Sequence, residues 1–351
     1  MSFENFKMLL CGLFMLTVSS CSSSSKSNSD SDILNDTESD SFVSTDSGVN
    51  DSSTVETDSE TDSLAEDSDS VDSDSVDSDT SDTDVENGEE FFDDFSYTDR
   101  AEAASEGGWL LRTWGGGPGP AGCSWSADNI NFSDDSDDAL NRVMILTAST
   151  DGTGSGSVQA EISTSTRFLA GTYAARVRFT DVPESGTPDG DEIVETFYTI
   201  TPYSMAGQEE YSEIDFEYLA NGGWGTSEPT MFETTWEKAE PADNTHSQQS
   251  KSLEGWHILL FTVFNGEVNY YVDGKLAATH GGIFYPESLM SINFNLWFIE
   301  DGFELSNSDR TYRQDVDWVY HAKDKLMSND AVIKRIESFR TGKITSLDTI
   351  L

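Results

Sequence analysis

Five consecutive residues, Glu213-Ile214-Asp215-Phe216-Glu217, place three carboxylates in alternation with two apolar side chains. Along a β-strand successive side chains point to opposite faces, so Glu213, Asp215 and Glu217 share one face and Ile214 and Phe216 the other. Like charges at neighbouring same-face positions repel, which pushes at least one carboxyl pKa upward. A site holding a carboxylic acid beside a carboxylate at one pH can protonate a leaving oxygen while a second oxygen attacks or activates. Cleavage of a glycosidic bond requires such a pair.

Geometry adds a demand. A retaining glycosidase keeps its two carboxyl groups ~5–5.5 Å apart. Glu213 and Glu217 are four residues apart, so their Cα atoms lie about 13 Å apart on a flat strand at ~3.3 Å per residue. Both side chains must lean inward over Asp215, and a curved sheet helps.

The elements able to position such a strand are short strands themselves. Val143–Ala148, Ser157–Thr164, Gly171–Phe179, Ile193–Ile200, Ser212–Leu219, Thr230–Trp236, His257–Phe264, Val268–Val272, Lys275–Thr279, Leu289–Trp297 and Asp315–His321 read as strands separated by turn residues. Asp273-Gly274 is a two-residue hairpin signal. Almost no helical periodicity accompanies them. The expected fold is all-β, an antiparallel β-sandwich over residues 91–322. In the tail at 323–351, Val332, Ile333, Ile336 and Phe339 have helical spacing behind Ser328 or Asn329 as cap. The expected arrangement is a helix docked on the sandwich.

Composition separates this body from what precedes it. The 351-residue chain has a formal net charge of −47, with 23 Asp and Glu and no Lys or Arg between Ser27 and Glu90. Residues 22–90 cannot bury enough apolar surface to offset their conformational entropy and are expected to form an extended linker. A calcium-binding repeat would place Gly at fixed loop positions, and this tract has almost none. Lys7 precedes the apolar run Met8–Leu16, too short to span a bilayer as a mature helix and suited to an export signal over residues 1–21. Its end, Val18-Ser19-Ser20-Cys21, resembles a bacterial lipoprotein box, which implies a lipidated Cys21 and membrane attachment through that lipid alone; an ordinary cleavage nearby is the alternative. With Cys11 removed and Cys21 lipidated, only Cys123 remains, so no intrachain disulfide is expected. The acidic body offers no basic stripe to nucleic acid. A neutral polysaccharide meets no such objection. A monomer at a bacterial cell surface is expected.

The flanks of the acidic strand carry a resemblance. Glu-Ile-Asp-Phe-Glu resembles the Glu-x-Asp-x-Glu signature of glycoside hydrolase family 16, jelly-roll β-glycanases that retain configuration. Gly171-Thr172-Tyr173-Ala174-Ala175-Arg176-Val177, Trp256-His257 through Tyr270-Tyr271-Val272-Asp273-Gly274-Lys275, Asn293-Phe294-Asn295-Leu296-Trp297 and Asp315-Val316-Asp317-Trp318-Val319 are similar to further family strands, in the same order. The resemblance covers roughly residues 90–322. It implies Glu213 as nucleophile, Glu217 as general acid/base and Asp215 as the group tuning Glu213.

The short form of the motif, without an extra residue before the last Glu, is typical of lichenases and xyloglucan-active members. Mixed-linkage β-1,3-1,4-glucan is therefore the first expected substrate. This chain departs from lichenases in having Tyr211 two positions before the nucleophile, Phe298-Ile299-Glu300-Asp301 after the Asn-Leu-Trp strand, and a longer loop from Glu237 to Ser252. Those departures leave β-1,3-glucan, xyloglucan or a galactan as alternatives, along with transglycosylation and a binding protein without turnover.

Tyr211, Trp236 and Trp297 are the first candidates for sugar-stacking platforms, Tyr203, Trp224 and Trp114 the next, and Asn295 a hydrogen-bond donor to a sugar hydroxyl. Four His without ligand spacing argue against a catalytic zinc site. No cofactor is expected to be required. The resemblance implies a structural calcium ion near Asp317.

Overall fold

The computed structural model of the protein describes residues 88–350. The export signal and nearly all of the acidic tract lie outside the described residues.

Two layers of β-strands pack face to face. The first runs, in spatial order, Leu110–Leu111, Val158–Ser163, Ser291–Phe298, Ile193–Ile200, Glu213–Leu219, Thr230–Lys238 and Asp243–Ser250, every neighbour antiparallel. The second runs Ser346–Asp348, Glu90–Asp93, Arg310–Lys323, Gly171–Phe179, Gly255–Phe264, Glu267–Val272 and Lys275–Gly281, again antiparallel. Arg142–Thr150 pairs with the first half of Arg310–Lys323 and carries Ile130–Asp134 on its other edge. The fold is the expected antiparallel β-sandwich of jelly-roll type.

Alternation builds the core. Tyr173, Ala175, Val177 and Phe179 turn fully inward from one layer, while Arg176 and Arg178 between them are half-buried. From the other layer Ile214 and Phe216 enter the same core, where Phe216 meets Phe197 and Phe261 at ring-centroid distances of 6.5 and 6.3 Å. Burying an aliphatic or aromatic side chain contributes roughly 1.5–3 kcal/mol, so this register is strongly held. A slip by one residue would put three carboxylates into the core. Asp273 and Gly274 adopt φ of 50° and 73°, the left-handed pair that a two-residue hairpin needs. His257 supports this hairpin through Nδ1, 2.7 Å from Asp273 Oδ2.

The C-terminal helix spans Asn329–Thr341, capped by Ser328, whose hydroxyl accepts from Ala331 N–H at 3.3 Å. It buries Val332, Ile336 and Phe339 on the outer side of the second layer, against Phe92, Trp318 and Tyr320. Its basic residues turn to the domain's own acids: Arg335 pairs with Glu90 and Arg340 with Asp317.

Two expectations are corrected. The segment Glu237–Ser252 is largely a strand, Asp243–Ser250, paired antiparallel with Thr230–Lys238 with a register shift between Trp236 and Lys238. Its residues are polar throughout and at most half-buried, so it carries no apolar alternation to betray it. A six-residue helix, Arg100–Ser105, also forms where none was expected; the Asp99 carboxylate caps it, accepting from Ala101 and Glu102 N–H at 2.8 and 3.0 Å.

Candidate active site

Glu213–Leu219 lies in the middle of the first layer, between Ile193–Ile200 and Thr230–Lys238. Its outward residues floor a cleft of about 470 Å3. Glu213, Asp215 and Glu217 all line it, with Asn295 and Trp297 from the strand two places away. Register sets the partners: Asp215 lies opposite Tyr198 on one side and Thr234 on the other.

Each carboxyl has its own donor. The Tyr211 hydroxyl donates to Glu213 Oε2 in a short contact. Trp236 Nε1 donates to Asp215 Oδ2 at 2.8 Å. Thr234 Oγ1 donates to Glu217 Oε2 at 3.4 Å. Glu213 and Asp215 are almost fully buried, and Glu217 is partly buried, the most open of the three. Burial pushes all three pKa values up, and the charge of Glu213 raises those of Asp215 and Glu217 further. The hydrogen bonds from Tyr211, Trp236 and Thr234 each pull the other way. Three such groups titrate as one system, and at neutral pH the set retains protons that free carboxyls would lose. Glu217 is the carboxyl least shut off from solvent, which suits it to exchange that proton with a substrate oxygen.

The structure redistributes the aromatic candidates. Tyr211 is 3% exposed and absent from the cleft wall; it serves Glu213 as a donor instead of offering a face to sugar. Trp236 also spends its indole N–H on Asp215, and its partly exposed ring stands opposite Glu213 in register. Trp297 lines the cleft with its ring packed 6.0 Å from that of Trp224. Tyr203 and the exposed Trp114 line the cleft as well. Asn295 is held at both ends, accepting from Thr196 Oγ1 at 2.7 Å and donating to the Tyr198 hydroxyl at 3.1 Å.

Asp317 does not fit a calcium ligand. Fully buried, it accepts from Arg176 and Arg340 at 2.6 Å each and from Asn141 at 2.7 Å. Two guanidinium groups already supply the positive charge a cation would bring, and they repel another. No group of three or more His, Cys, Asp and Glu able to hold a metal ion occurs among the described residues.

Three further cleft residues escaped the sequence reading. Glu161 is a fourth cleft carboxylate, opposite Asn295 in register, and takes Arg112 as its partner at 2.9 Å. Tyr198 joins Glu161 to Asn295 through its hydroxyl. Arg112 reaches the cleft beneath the glycine-rich stretch Trp114–Pro120. The polar positions Gln159 and Glu161, alternating with Ala160 and Ile162, were the available signal.

A cleft open on one layer of a β-sandwich, floored by carboxyls that burial and mutual repulsion keep partly protonated, places the molecule in the class of glycoside hydrolases. The chain belongs to glycosyl hydrolases family 16, whose pattern matches residues 120–320, more than half of its length. Among solved structures it is similar to the Bacillus licheniformis β-glucanase, with 17% identity over 68% of this chain and 99% of that one and a TM-score of 0.47. A prokaryotic β-1,3-1,4-glucanase (lichenase) derived from a mouse hindgut metagenome is 21% identical over 67% of this chain and 99% of that one, with a TM-score of 0.47. LamAcat from Zobellia galactanivorans is 13% identical over 68% and 98%, with a TM-score of 0.48. The comparison with curated protein sequences returned no match.

Proposed function

We propose that the protein is a retaining endo-β-glycanase that hydrolyses a neutral β-glucan, with mixed-linkage β-1,3-1,4-glucan as first substrate. The reading is carried by one observation: Glu213, Asp215 and Glu217 stand side by side on the floor of one cleft, each with a dedicated donor.

Glu213 attacks the anomeric carbon from the ionised state that the Tyr211 hydroxyl favours. Glu217 protonates the leaving oxygen, then takes a proton from the water that hydrolyses the glycosyl-enzyme. Asp215, between them and held by Trp236, adjusts the charge of Glu213 as the covalent bond forms and breaks. A neutral chain is supported by the cleft's charges. Its one guanidinium, Arg112, is paired with Glu161, leaving a net negative wall toward any sulfated or uronic polymer. The mixed-linkage preference rests on the short motif. No cofactor takes part, and the enzyme acts as an exported, lipid-anchored monomer.

The test is hydrolysis of barley β-glucan by the wild type and by Glu213→Gln and Glu217→Gln. Both variants should fold and lose about 10²–10⁴-fold or more in kcat. With an aryl glycoside whose leaving group needs no proton, Glu217→Gln should recover most of its glycosylation rate and Glu213→Gln none. Nuclear magnetic resonance should show the β-anomer as first product. Tight glucan binding without release of reducing ends by the wild type would overturn the reading in favour of a binding protein.

A further inference from the structure

The mechanism leaves one buried cation of the cleft without a task. Arg112 is 6% exposed, and four of its five N–H donors are spent on protein atoms. Nη1 donates to Glu161 Oε2 at 2.9 Å. Nη2 donates to the carbonyls of Gly116 and Gly117 at 2.9 Å each, and Nε to that of Trp114 at 3.2 Å. The guanidinium plane lies 4.0 Å from the Trp125 ring, whose own Nε1 donates to Gly116 O at 2.8 Å. A side chain so fully engaged has little left with which to bind substrate. What it does bind is one stretch of backbone: three of its hydrogen bonds end within four consecutive residues.

That stretch wraps around the guanidinium because it can. Gly116 sits at φ 113°, a conformation closed to side-chain-bearing residues, and the Gln159 amide holds the next turn by donating to Pro118 O at 3.2 Å. Trp114, Gly116 and Pro118 all line the cleft. Trp114 is also 56% exposed, a large apolar ring kept at the rim with the Arg112 guanidinium 5.9 Å from its centroid. Free in solution a loop with three successive glycines would sample many conformations; Arg112 selects one.

We infer that Arg112, anchored by Glu161, is a positioning residue that clasps the segment Trp114–Pro118 into a fixed cleft wall and so presents Trp114 as a stacking platform for a sugar unit remote from the scissile bond. The inference rests on the glycanase reading and adds a specificity element to it. Sugar rings expose flat C–H faces that pack on aromatic rings, so a rim tryptophan favours long substrates over short ones. Remote contact of this kind acts on binding and leaves the carboxyl chemistry alone.

The experiment is steady-state kinetics of Trp114→Ala, Trp114→Phe, Arg112→Met and the double variant Arg112→Met/Trp114→Ala. The two substrates are β-glucan polymer and an activated aryl β-glycoside too short to reach the rim, and melting temperatures are recorded alongside. Trp114→Ala should raise KM for the polymer about tenfold with kcat nearly unchanged, and should not alter turnover of the aryl glycoside. Trp114→Phe should restore most of the loss. Arg112→Met should reproduce the KM effect, and the double variant should be no worse than Arg112→Met, because the unclasped loop no longer presents the ring. An unchanged polymer KM in Trp114→Ala overturns the inference, and so do additive effects in the double variant. Should Arg112→Met fail to fold, the comparison of alanine and phenylalanine at position 114 still decides. A wild type inactive on both substrates overturns the glycanase reading itself, and this inference with it.

Discussion

Tyr211 donates its phenolic hydrogen to Glu213, two residues further along the chain. This contact places a buried donor on the carboxyl proposed as nucleophile.

Tyr211→Phe keeps the ring and removes the donor. A hydrogen bond to the ionised form lowers a carboxyl pKa, so its loss raises that of Glu213. The acid limb of the kcat/KM profile should move to higher pH, by about one unit for a charge-assisted bond of ~1.5–3 kcal/mol that is partly replaced by water. A profile superimposable on the wild type would show that Tyr211 only packs.

Trp236→Phe separates two roles for one indole. Its N–H is 2.8 Å from Asp215 Oδ2 and lowers the pKa of that carboxyl. Without it Asp215 binds its proton still more tightly and answers Glu213 less well. The expected outcome is a fall in kcat of about tenfold with little change in KM for the polymer. A rise in KM at constant kcat would assign Trp236 the sugar-platform role instead.

His321 makes stability fall on acidification. Its ring is fully buried, 4.1 Å from Tyr173 and 5.2 Å from Phe168, and burial drives its pKa from 6.5 to about 3. The folded state holds the neutral form, so the unfolded chain binds the extra proton first. This contribution is complete above pH 6.5 and lost as pH falls toward 3, at up to about 1.4 kcal/mol per unit. His321→Phe should therefore gain stability relative to the wild type as pH drops through that window. Other groups act oppositely: Asp93, raised to about 6 by burial, favours the folded state on acidification. The wild-type-minus-variant difference in denaturant unfolding isolates His321, and a difference independent of pH would refute the assignment.

Arg340→Met tests how the C-terminal helix is fastened. The side chain reaches Asp317 at 2.6 Å and is 39% exposed, while Asp317 is wholly buried and keeps Arg176. The loss should be about 1–2 kcal/mol, below that of a fully buried pair. Added calcium should not restore the melting temperature. Restoration by calcium would mean that the Asp317 site accepts the metal after all.

The open face of the first layer was legible because it is encoded locally. Alternation alone separates Glu213, Asp215 and Glu217 from Ile214 and Phe216, and the same rule marked Gly171–Phe179 to the residue; Ile193–Ile200 was legible as a short run bounded by turn residues. Asp243–Ser250 was not legible, since a polar edge strand shows no such contrast. The roles of Tyr211 and Trp236 were not legible either. An aromatic next to a catalytic strand looks the same in sequence whether its face meets sugar or its polar atom meets a carboxylate.

The sequence by itself determined the acidic strand, the sandwich that carries it and the family, because period-two patterning and short motifs are properties of neighbouring residues. Tertiary structure decided what each polar group spends its hydrogen bonds on. Arg112 finds Glu161 across 49 residues, and Arg176 and Arg340 meet on Asp317 from 141 residues before it and 23 after. Partners so distant in the chain meet only in the folded arrangement, where the buried Asp317 and Arg112 need opposite charge to offset their lost hydration.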